Sequence, residues 1–92
     1  MSQYKEMFEK FRQGNLDEKG IDELNRILVD IYFISPAALS QTELEYTEDL
    51  VIELSLTGRL EKSYSSQLKA VFDTNNTFVR KYNLYRDLRE AN

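Results

Sequence analysis

Apolar residues recur every three or four positions through nearly every stretch of this chain, and that period favours helices over strands. Tyr4, Met7, Phe8 and Phe11 make a first stripe, which stops at Gly14, a residue suited to the left-handed conformation that closes a helix. Ile21, Leu24, Ile27, Leu28 and Ile31 make a second. Asp17 and Glu18 precede it, where negative charge favours a helix start, so a helix is predicted over about residues 17–32. Ser35 and Pro36 restart the chain: Ser can cap, and proline at the first helical position loses only an amide that had no partner, so a short helix is expected over residues 36–39.

Gln41 and Thr42 lead into a longer helix carrying Leu44, Thr47, Leu50, Val51 and Leu54, which ends before Gly58. Ile52 and Leu56 lie off that stripe, so this helix is expected to touch neighbours on more than one side and to sit at the centre. After Gly58, Leu60, Tyr64, Leu68, Val71 and Phe72 form a stripe interrupted by turn-rich residues 73–77. Phe78, Tyr82, Tyr85 and Leu88 mark a last helix. No stretch alternates like a strand, and residues 31–34 are too short a β-rich run to build a sheet. The expectation is an all-α bundle of about five helices in a single domain over residues 1–92, since half of 92 residues could not bury a stable core unaided.

With 41% hydrophobic residues, five Phe and six Tyr, the chain has the apolar area that disordered sequences lack. It contains no Cys and no His, which removes thiol and imidazole chemistry and nearly every zinc or haem ligand set. Carboxylates remain, in Glu43, Glu45, Glu48, Asp49 and Glu53 of the central helix. Acid–base catalysis needs two carboxylates in different, partly buried settings, and a metal site needs ligands converging from several elements. One helix face supplies neither, so no catalytic residue, metal or cofactor is expected, and the chain is not expected to be an enzyme. The plain reading is a solvated face opposite Leu44, Val51 and Leu54; the functional one makes Glu45, Glu48 and Asp49 a docking surface for a basic protein.

Charge is unevenly spread. Residues 1–58 carry twelve acids against five bases, and residues 59–92 seven bases against four acids, within a net charge of -4. Arg80, Lys81, Arg86 and Arg89 interleave with Tyr82 and Tyr85, a pattern that can bind nucleic acid, yet the bases are few. Pairing with the acidic half, within a chain or between copies, is the favoured reading of all four bases. Tyrosine is a contact residue as well as a core one, which makes Tyr85 a further candidate. Tyr32, Phe33 and Ile34, just before Pro36, form an aromatic corner whose exposed part would serve as a binding patch. The opening MSQYKEMFEKF has no apolar signal region and no run approaches a membrane span, so a cytoplasmic location without membrane contact is expected.

Shifted by 44 residues, the chain partly matches itself: Gly14 with Gly58, Leu16 with Leu60, Asp17 with Glu61 and Leu24 with Leu68. Residues 7–29 and 51–73 each read as helix, Gly-x-Leu-acid, helix, which duplication and the shared spacing of any two helical hairpins explain equally. Residues 49–88, with Leu56, Gly58 and Leu60 at a turn and Asp73 and Phe78 bracketing a break, resemble the cytosolic N-terminal helical module of bacterial anti-sigma factors. That resemblance implies binding of a sigma factor through helix surfaces and names no catalytic residue. Zinc-binding members carry a His and two Cys there, which this sequence lacks, and many continue into a transmembrane helix, so a metal-free relative is implied. The function expected is a non-catalytic cytoplasmic regulator or adaptor that binds a protein with a basic surface. The alternatives are a homodimer or larger helical assembly pairing acidic and basic halves and, less favoured, a small nucleic-acid-binding protein.

Overall fold

In the computed structural model, residues 3–91 are described, and their side chains from Glu6 onward. Five α-helices form among the described residues: α1 (Gln3–Arg12), α2 (Glu18–Ile34), α3 (Gln41–Leu56), α4 (Ser65–Thr74) and α5 (Asn76–Ala91), with single 3-10 turns at Pro36–Ala38 and Lys62–Tyr64. No strand occurs among the described residues. Tyr4 of the expected first stripe lies in α1, but its side chain falls outside the described set.

Helix boundaries follow local chemistry. Asp17 caps α2, its Oδ1 accepting the Gly20 N–H at 2.8 Å. Ser40 and Glu43 make a reciprocal capping box at the start of α3: Ser40 Oγ accepts the Glu43 N–H, and Glu43 Oε1 accepts the Ser40 N–H at 2.8 Å. Gly14 (φ +76°) and Gly58 (φ +71°) close α1 and α3 in the same way. At each, the glycine N–H bonds back three residues and the next N–H five, Asn15 to Lys10 O and Arg59 to Leu54 O, both at 2.8 Å.

The turn expected over residues 73–77 narrows to Asn75. The chain stays helical through Thr74 and resumes at Asn76, because Asn75 leaves the helical conformation and its Oδ1 accepts the Phe78 N–H at 3.0 Å. A single residue thus ends one helix and caps the next.

Principal contacts run in the order α1, α2, α3, α5, α4, which puts α3 in the middle. One apolar cluster joins Phe8 of α1 to Leu24 and Leu28 of α2 and to Leu39. The other joins Val29 and Tyr32 of α2, Val51 and Ile52 of α3, and Phe78 of α5. Leu44 borders both. Val51 and Ile52, adjacent in sequence, are both fully buried, which is how α3 faces α2 and α5 at once. The two Gly-x-Leu-acid turns share those two bonds, with the Leu60 N–H adding a third to Leu54 O at 3.1 Å, but lead into different structure. Asp17 caps α2 directly, whereas Glu61 makes no side-chain cap and a 3-10 turn intervenes; α1 packs on α2, whereas α4 packs chiefly on α5.

Candidate functional site

The acidic face of α3 is largely claimed from within the molecule. Lys81 of α5 places its Nζ 3.0 Å from Glu48 Oε1 and 2.6 Å from Asp49 Oδ1. Tyr32 of α2 donates its hydroxyl to Glu48 Oε2 at 3.1 Å, and Tyr85 of α5 donates to Asp49 Oδ1 at 3.1 Å. Arg89 reaches Glu53 more loosely, at 3.4 Å. These contacts bring Tyr32, Glu48, Asp49, Lys81 and Tyr85 into one polar clasp among α2, α3 and α5. The pairing of acidic and basic halves within one chain is therefore a feature of the fold.

The clasp fixes protonation states. Burial and the Glu48 carboxylate both penalise a phenolate at Tyr32, whose pKa is raised. Tyr85 is raised by burial and by its bond to Asp49. At Lys81, burial opposes the charge, but hydrogen bonds to Asp49 and Glu48 outweigh it and the ammonium is held more firmly than usual. At neutral pH the two phenols are therefore neutral and the amine firmly protonated. Among the described residues, no three acidic side chains converge as a metal site would require.

The remaining candidates are dispersed. Glu45 is exposed and accepts from Gln41 on its own helix at 3.0 Å. Arg80 is exposed on α5. In the aromatic corner, Tyr32 is buried, Phe33 stacks on Tyr64 with ring centroids 5.1 Å apart, and Ile34 alone of the three points out, 64% exposed.

A sizeable concavity lies elsewhere, between α2, α3 and the stretch after Gly58. An open groove of about 550 Å³ has Val29, Leu50, Leu54 and Leu60 as its apolar lining, with Asp22, Glu23 and Arg26 of α2 and Arg59 and Glu61 opposite at its rim. Its shape depends on Tyr64, which also lines it: the Tyr64 hydroxyl donates to Asp30 at 3.0 Å while Phe33 stacks on the ring. Tyr64 thereby ties the end of residues 59–64 to α2. Sequence reasoning reads Leu50 and Leu54 as core, names Glu61 only as the counterpart of Asp17, and does not single out Asp22, Glu23, Arg26 or Arg59. The signal available is Leu60 between two charged residues immediately after a helix-closing glycine, an apolar side chain that cannot belong to the preceding helix.

No helix among the described residues is long and apolar enough to cross a membrane. Comparison with family models, with curated proteins and with solved structures finds no match to this chain.

Proposed function

We propose that this chain is a non-catalytic protein-binding module, a cytoplasmic regulator or adaptor, that receives an amphipathic helix of a protein partner in the groove between α2, α3 and residues 59–64. The observation that carries this reading is the groove itself, which has an apolar lining between two charged rims on the surface of a small helical bundle. Helix-in-groove recognition uses that combination: apolar anchors fill the trough and polar rims set orientation. A catalytic reading would need a group in the groove suited to proton transfer or nucleophilic attack. Its polar side chains are Lys19, Asp22, Glu23, Asn25, Arg26, Arg59, Glu61 and Tyr64, and none there forms a base-and-nucleophile pair.

Charge narrows the partner. Because Glu48, Asp49 and Glu53 are engaged by Lys81 and Arg89, the acidity left to a partner is concentrated on α2, where Asp17, Glu18, Asp22, Glu23 and Asp30 are exposed against Lys19 and Arg26. A basic flank on the incoming helix would complement it. The resemblance of residues 49–88 to anti-sigma modules makes a sigma factor one candidate of that chemistry.

Parallel affinity capture with the wild-type chain and with Leu54→Glu tests the proposal, circular dichroism establishing that both are folded. A stoichiometric partner held by wild type should be lost, at least tenfold, with Leu54→Glu and retained by Lys69→Glu on α4. Equal recovery by all three chains would rule out the groove as the binding site.

A further inference from the structure

The large apolar side chains exposed among the described residues are Ile34, Leu84 and Leu88, and the last two, 55% and 54% exposed, stand one turn apart on α5. Leu84 lies well round the helix from Phe78, which is fully buried against the core, while Leu88 stands at the edge of the clasp beside Glu53, Tyr85 and Arg89. Arg80, four residues before Leu84, and Asp87, three after it, lie on one flank of this stripe, and both are exposed. The two charges stand at nearly equal distances from Leu84 and are opposite in sign.

We propose that a second copy of this chain docks on this face, with the two α5 helices antiparallel about a twofold axis through Leu84. A twofold interface must be self-complementary: what one copy offers, the other must accept in the same place. Rotation about Leu84 brings position 80 of one copy within one residue of position 87 of the other. Arg80 therefore meets the second copy's Asp87, and the same pair forms again across the axis. Leu84 meets Leu84, and Leu88 covers the second copy's Leu84 and the aliphatic stem of its Arg80. The charge pattern selects this occupant, since an antiparallel copy of α5 supplies opposite charges at both ends of a stripe that carries one base and one acid. Asp87 is available for the exchange, because its present contact, Arg86 Nη2 at 3.5 Å, is long and largely exposed. The groove draws its lining from α2, α3 and residues 59–64, so dimerisation does not depend on the reading given to that groove.

Four leucines, two from each copy, and two ion pairs make a small interface, well below the ~1,200 Å² of stable complexes, so the dimer is a weak one with a dissociation constant on the order of 100 μM. Sedimentation equilibrium of the full chain, from about 10 μM to about 1 mM at low salt, reads that range directly. Wild type should self-associate. Arg80→Asp and Asp87→Arg, each placing like charges opposite one another twice, should weaken association about tenfold or more, and Leu84→Glu should abolish it. The combined Arg80→Asp/Asp87→Arg chain reverses the pair and should return to within about threefold of wild type. All these positions are exposed, so the variants should retain wild-type helicity. A wild-type chain that stays monomeric at ~1 mM, single variants that associate like wild type, or a charge reversal that fails to restore the dimer would each overturn the proposal.

Discussion

The two ends of this bundle are attached to its middle by different physics. At one end, α1 meets α2 through Phe8, which packs against Leu24, Leu28 and Leu39, while Phe8 and Phe11 pack on Tyr46 of α3 with centroids 5.4 and 5.3 Å away. At the other, α5 inserts Phe78 among Tyr32, Phe72 and Tyr82 and then adds the clasp of Lys81, Tyr85 and Arg89 onto the acids of α3. Apolar attachment is nondirectional and nearly indifferent to salt, whereas the clasp fixes the register of α5 and responds to ionic strength and pH. The chain thus uses its acidic and basic halves to orient one helix, not to hold the whole fold together.

Replacing the anchors should produce the largest effects. Phe78→Ala empties a fully buried site shared by three elements and should cost about 3–5 kcal/mol in chemical denaturation. Phe8→Ala should cost less, about 2–4 kcal/mol, with hydrogen exchange showing α1 loosened while the α3 and α5 amides keep their protection. If the two changes cost the same and unfold the same amides, the bundle has one attachment and not two.

The clasp should come next. Lys81→Met removes the cation shared by two carboxylates, one of them half exposed, and should destabilise by about 1–2 kcal/mol. Adding Glu48→Gln and Asp49→Asn should recover most of that loss, because no uncompensated charge then remains. Raising salt to about 1 M should narrow the gap between wild type and Lys81→Met while leaving Phe8→Ala unaffected.

Alkaline pH separates the ends in a second way. The folded-state pKa values of Lys81, Tyr32 and Tyr85 are all raised, so the stability they contribute is complete below their unfolded values and declines as pH climbs toward the folded ones. Tyr64 shifts in the same direction through burial and Asp30, and Tyr46, beside Phe8, through burial alone. Thermal unfolding followed upward from pH about 10 should therefore show falling stability, and Lys81→Met should flatten the decline. The two glycine turns give the smallest effects: Gly14→Ala and Gly58→Ala, each forcing a side chain to positive φ, should cost about 1 kcal/mol apiece. Equal costs would match the two backbone hydrogen bonds the turns share.

Periodicity makes the helices legible because each stripe is punctuated by a residue with a local reason to stop, Gly14, Pro36 and Gly58 among them. It also marks α3 as central, through Ile52 lying off the main stripe. The 73–77 turn reads too wide in sequence because Asp73, Thr74 and Thr77 look like turn residues in composition, whereas Asn75 alone carries the cap. The acidic face of α3 is visible in the sequence, but its occupancy by Lys81 and Tyr85 is a contact across more than 30 residues that no helical period encodes. The groove is least legible of all. It arises from how Tyr64 is tied to Asp30 and Phe33, and Leu50 and Leu54 read as ordinary core whether or not a trough opens above them.

The central claim, that the α2–α3 groove is where a protein partner binds, is tested most directly by site-specific photo-crosslinking in the native cell. A photoreactive residue would be placed in turn at Glu23 and Arg59 on opposite rims, and at Asp73 on α4 as reference. One and the same protein should be captured from both rims and be absent, or at least tenfold weaker, from Asp73. Capture of that protein from Asp73 as strongly as from the rims, or different proteins from the two rims, would contradict the claim.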